Sequence, residues 1–128
     1  MNRTTPVSTL KVIRLALLAG VVIFGFAIAY LSRTGALQPD PDVAGVLRLA
    51  FLPLALGSVV GMMAVRSAQS RAEPDRKGAL AIIGWALGEG VALFGGVAWL
   101  VAGEMMLYLT GLGLMIVALL LVPVPADS

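Results

Sequence analysis

Neither cysteine nor histidine occurs in the 128 residues. Their absence removes thiol chemistry, disulfides, imidazole acid–base catalysis and the common ligands of zinc, haem and copper together. Charge is scarce as well: nine Lys and Arg against seven Asp and Glu leave a formal net charge of +2, and 12% of residues are charged. The basic residues stand in short segments between apolar runs and form no patch able to track a phosphate backbone, which excludes nucleic acid as a partner. No nucleophile beside a base, no metal-ligating set and no phosphate-binding loop is present, and no polar segment is long enough to hold a soluble domain. Asp40, Asp42 and Glu104 supply acids without an organised partner. The sequence therefore points away from an enzyme and implies neither cofactor nor metal.

What is present is apolar. With 59% hydrophobic residues and a mean hydropathy of +0.99, the chain lies outside the soluble range, and most of its side chains need lipid as their solvent. Four apolar runs, at about 12–31, 43–65, 79–102 and 105–122, each approach the ~20 residues that cross a ~30 Å hydrocarbon layer as helix. Punctuation falls between them: Pro39 and Pro41, then segment 66–78 with Pro74, then a Gly103-Glu104 corner, with Pro123 and Pro125 after the last. The expected fold is a single all-α, polytopic membrane domain of four transmembrane helices. Arg3, Lys11 and Arg14 ahead of an apolar stretch ending Ala27-Ile28-Ala29 also match a secretory signal, but that stretch is long for one, so a retained first span is expected.

Lys and Arg are retained on the cytoplasmic side during insertion. Arg3, Lys11 and Arg14 precede the first span, and Arg66, Arg71, Arg76 and Lys77 lie between the second and third, whereas Arg33 alone falls in an outer loop. Both termini and the middle segment are expected inside, in a bacterial inner (cytoplasmic) membrane. Tyr30, Trp99 and Tyr108 then fall near the outer interface, where amphipathic rings anchor. Segment 66–78, with its mixed charges, reads as a solvated loop.

Within a bilayer, helices associate by close van der Waals contact and interhelical hydrogen bonds, so small residues at helical spacing mark contacts. The second run carries Gly57 and Gly61, and the third carries Gly84 and Gly88 followed by Gly90, Gly95 and Gly96. These two helices are expected to pack together or against another subunit. Pro53 removes one backbone donor from the second run and is expected to kink it.

Glu89 lies near mid-bilayer, where a charge costs several kcal/mol unless it is protonated, paired or hydrated. At ~1.5 Å per residue, it matches the depth of Ala55 to Ser58, making Ser58 a candidate hydrogen-bond partner; Thr110 lies closer to the outer face. Such a carboxyl either serves as a polar link between helices or picks up and releases an ion. Arg48, near the outer end of the second run, can extend toward the headgroups or pair with Glu104.

The third run invites a comparison. Ala86-Leu-Gly-Glu89-Gly-Val-Ala92-Leu-Phe94-Gly95 resembles the ion-carrying helix of the proteolipid (c) subunit of rotary ATP synthases, with its carboxylate, small residue, aliphatic, aromatic and Gly. The small-residue stretch from Gly57 to Ala64 and the polar Arg71-Ala-Glu-Pro74 are similar to that family's glycine helix and cytoplasmic loop. Over residues 57–98, the resemblance implies that Glu89 matches the carboxylate that binds a proton or sodium ion. The chain departs from the pattern at Pro53 and Arg48, in the short spacing from Pro74 to Glu89, and in its two additional spans. The expectation is a non-catalytic membrane subunit whose partners are lipid and other transmembrane helices, in a homo-oligomer or a larger complex. The alternative is a proteolipid-like ion-binding protein using Glu89.

Overall fold

The computed structural model describes residues 7–124, so Arg3 and Pro125 lie outside the described residues. Four helices follow one another: α1 (Val7–Thr34), α2 (Ala44–Arg71), α3 (Pro74–Ala102) and α4 (Met105–Leu121), with a short 3₁₀ turn at Pro41–Val43 before α2. No strand occurs among the described residues. The first three helices are long and apolar enough to cross a membrane, and α4 is a shorter apolar helix of 17 residues. The chain is an all-α, membrane-embedded protein.

The helices outlast their apolar runs. α1 and α2 have 28 residues each, and at ~1.5 Å per residue such a helix reaches about 42 Å, beyond the ~30 Å of hydrocarbon. Their last turns can therefore be polar. Segment 66–78, expected as a loop, is for this reason mostly helix: α2 continues to Arg71 and α3 starts at Pro74. Proline suits that first position, where the missing N–H would be unpaired anyway, and Asp75 in the first turn complements the helix dipole. α2 also continues through Pro53. α3 stops at Gly103, whose φ of 75° is the left-handed cap conformation that glycine adopts without strain.

α3 and α4 form a central antiparallel pair, with α2 along one flank and α1 along the other; among the described residues α1 and α2 do not touch. Glycine explains the centre. Gly95 lies against the backbone carbonyl of Leu107, and a Cβ on Gly88 would stand 2.9 Å from the Cα of Met115. Gly111 reciprocates from α4, where a Cβ would stand 2.7 Å from the carbonyl oxygen of Val91. Two bare surfaces bring the backbones together, and the dispersion contact so gained is what holds helices in lipid. α2 and α3 do pack against each other, with Leu87 over Gly61, but the glycines of α3 look elsewhere: Gly84, Gly88 and Gly95 face α4, which offers Gly111 and Ala118 as a matching smooth surface.

Because α1 and α2 sit on opposite flanks, the segment joining them crosses the end of α3. The Asp40 amide donates to the carbonyl of Val101 at 2.7 Å, and Pro39 packs beside Gly103. At the other end, three helix ends are tied by one side chain. Gln69 is buried and its Nε2 donates to the carbonyls of Lys77 and Pro123, at 3.2 Å each. The buried Trp85 donates its indole N–H to the carbonyl of Val122 at 2.8 Å, satisfying an end-of-helix acceptor that would otherwise be unpaired in an apolar setting.

Candidate functional site

Glu89 is half-buried on α3, and its side is set by its neighbours. Trp85, one turn earlier, joins Leu10 of α1 in a buried cluster, and Gly96, two turns later, lies against the ring of Phe24 on α1. Leu87 and Phe94 point the other way: Leu87 packs over Gly61 of α2, and the Phe94 ring is 6.2 Å from that of Phe51. At 3.6 residues per turn, Glu89 belongs to the edge of the α1 side. Beyond it runs the open face of α3, where Ala79, Ala86 and Gly90 are exposed and a Cβ on Gly90 would meet nothing within 4 Å.

Ser58 is buried on α2. It shares a depth with Glu89 but faces α3 from the opposite flank, and among the described residues no hydrogen bond joins them. Glu89 has neither a hydrogen-bond partner nor an ion-pair partner among the described residues. Thr110 is likewise no partner, since its hydroxyl donates to the carbonyl of Met106 in its own helix at 2.8 Å. A carboxyl at this depth, beside a bare glycine surface and without a partner among the described residues, is the chemically most conspicuous group among them.

The other charged pair is closed. Arg48 Nη2 donates to Glu104 Oε1 at 2.9 Å, linking α2 to the corner between α3 and α4. The Arg48 side chain is 60% exposed, which places the pair in the screened regime where such bridges contribute little. Of the glycines singled out from the sequence, Gly61, Gly84, Gly88 and Gly95 are covered by neighbouring helices of the same chain, whereas Gly57 and Gly90 lie open.

Tyr108 corrects the aromatic-belt expectation. It is 5% exposed, its hydroxyl donates to the carbonyl of Val21 at 2.8 Å, and its ring stands 5.4 Å from that of Trp99. Gly25 makes the approach possible, because a Cβ there would collide with the Tyr108 hydroxyl. Tyr30, by contrast, is exposed. Sequence reasoning missed Tyr108, Gly25, Gln69 and Trp85 as links between helices. The one available signal was the presence of polar side chains close to the ends of apolar runs, where solvation is the default reading. In comparisons with protein-family models, with curated proteins and with solved structures, nothing matches the chain.

Proposed function

We propose that the chain is a non-catalytic helical subunit of a bacterial inner membrane that packs laterally, within a homo-oligomer or a larger membrane complex. The observation that carries this reading is Glu89: a carboxyl at membrane depth, unpartnered among the described residues, on the border of an open face bearing Gly90. Lipid tails offer it no hydrogen bond, whereas another transmembrane helix docked on that face supplies both a partner and the close contact that a bare glycine permits. The non-catalytic part rests on composition, since without His or Cys the chain holds few groups able to act as nucleophile or base near neutral pH.

The test is assembly size on native gels after extraction in mild detergent. Gly90→Leu and Glu89→Leu are expected to release a smaller species while membrane insertion is retained. Unchanged migration of both variants would remove this face as an interface. Gly88→Leu is not a fair test, because that residue is covered by Met115 and Ala118 of the same chain.

A second reading, a proteolipid-like protein that binds a proton or sodium ion at Glu89, draws on the same carboxyl, half-buried and so reachable from the membrane. It predicts slow modification of Glu89 by a hydrophobic carbodiimide with sodium- or pH-dependent protection. Absence of labelling, or labelling indifferent to both, would eliminate it.

A further inference from the structure

The contact between α1 and α4 is interrupted. Tyr108, in the first turn of α4, is pinned to Val21 near the middle of α1, and on either side of that pin a groove opens between the two helices. The groove toward the α3–Lys77 end measures about 450 Å³ and has a floor of Leu15 and Leu18 from α1 with Ile116, Leu119 and Leu120 from α4; Lys11 and Arg14 close its mouth. The groove toward the Arg48 end, about 240 Å³, runs along Val22, Phe26 and Ala29 with Leu109 and Trp99, and carries no charged residue. One seam thus presents two apolar slots, of which only one has a cationic entrance.

Height matters here. Counting back from the contact of Phe24 with Gly96, along helices rising ~1.5 Å per residue, Lys11 stands level with about Ile83 and Arg14 with about Ala86. Val122 lies against Gly84, so the cations flank the end of α4, where the apolar stretch gives way to Pro123. Lys11 and Arg14, three residues apart on a helix, share one face, and Leu15 and Leu18 continue it inward. None of the described carboxylates pairs with either cation: Glu73 and Asp75 lie at the α2–α3 corner, Glu89 on α3, and Asp40, Asp42 and Glu104 at the far end.

We infer that this groove binds one anionic glycerophospholipid, its phosphate held between Lys11 and Arg14 and an acyl chain laid along Leu15, Leu18 and Ile116. Both cations are rooted only about 4.5 to 9 Å from the level of Glu89, so they meet phosphate oxygens by extending their apolar stems toward the end of α4, with hydrocarbon beneath; the groove is cationic at its mouth and apolar along its length in the same order. Arginine meets phosphate with its planar fork and lysine as a point charge, and together they select an anionic over a zwitterionic headgroup. The uncharged groove at the other end of the seam has no such selectivity.

The test is native mass spectrometry of the full chain in mild detergent, titrated in parallel with dioleoylphosphatidylglycerol and dioleoylphosphatidylcholine. The anionic lipid is expected to be retained at least roughly tenfold better, since each cation near a membrane surface contributes about a fivefold factor. The pair Lys11→Gln with Arg14→Gln should bring the two lipids close to parity, while Arg76→Gln, at the start of α3 and outside the groove, should leave the preference intact. Leu15→Trp should fill the slot and lower retention of the anionic lipid with both charges still in place. Equal retention by the unaltered chain, or a preference surviving loss of both cations, would overturn the inference. So would indifference to Leu15→Trp, which would leave only surface attraction, and so would a lipid-free dimer, which would give the seam to a second copy.

Discussion

α4 meets α3 and α1 in opposite ways. Against α3 it lies backbone to backbone, through Gly88, Gly95 and Gly111, with little side chain between; against α1 it meets only side chains, the Tyr108 hydroxyl on Val21 with Met115 packed nearby, and open slots lie above and below. In water such a difference would be hidden under hydrophobic burial, but in lipid an apolar surface gains nothing by leaving the solvent. Only contact density and hydrogen bonds then separate a permanent seam from an adjustable one. The comparison teaches that in this chain glycine decides which helices are inseparable, and a polar tip decides which are merely tethered.

The largest effect should come from filling the tight seam. Gly95→Leu places a side chain where the carbonyl of Leu107 already stands, and backbone cannot yield as a side-chain end can. Overpacking of this kind costs about 3 kcal/mol or more. We expect a large fall in the midpoint of unfolding in mixed micelles, followed by circular dichroism; a midpoint close to that of the unaltered chain would erase the distinction between the two seams.

The tethered seam should respond less, and reversibly. Tyr108→Phe removes one interhelical hydrogen bond, for which roughly 1 kcal/mol is expected in a membrane. Gly25→Ala should cost about the same or somewhat more, because its methyl group displaces the Tyr108 hydroxyl, the end of a side chain that can move. Combined, the two should cost less than their sum, since Tyr108→Phe removes the atom with which the methyl group collides. Strict additivity in that cycle would mean that the hydroxyl does not hold α1 in place. Smallest of all is Arg48→Ala or Glu104→Ala, expected below about 1 kcal/mol because the arginine of the pair is largely exposed; a larger loss would show that the α2 flank depends on its rim.

Much of this architecture is legible in the residues alone. The four helices and their breaks follow from apolar runs interrupted at Pro41, Pro74 and Gly103, because proline and left-handed glycine act locally. The proximity of Arg48 and Glu104 follows from depth, since both lie near the same surface. The partner of a glycine stripe does not follow: spacing marks a smooth face on one helix and says nothing about which neighbour is equally smooth, which is why Gly84 and Gly88 could be read toward α2. The links made by Gln69, Trp85 and Tyr108 were illegible for a different reason. Each ends on a backbone carbonyl, a group that every residue carries and no sequence pattern marks. The site fared likewise: the depth of Glu89 can be counted along its helix, but its position on the α1 side depends on how α3 is rotated, which only the packing of Gly96 on Phe24 and Leu87 on Gly61 defines.

The separation of α1 from α2 has a consequence for how the molecule is made. α1 and α2 are both translated before α3, and among the described residues they have no surface in common, so neither can steady the other until α3 arrives between them. A helix that waits in this way has to be stable in oil by its own composition, and α1 and α2 are the more apolar of the long helices, whereas α3, which meets its neighbours on three sides, carries six of the 15 glycines, more than any other helix. The first two helices of the bundle are therefore joined only through helices translated after both of them.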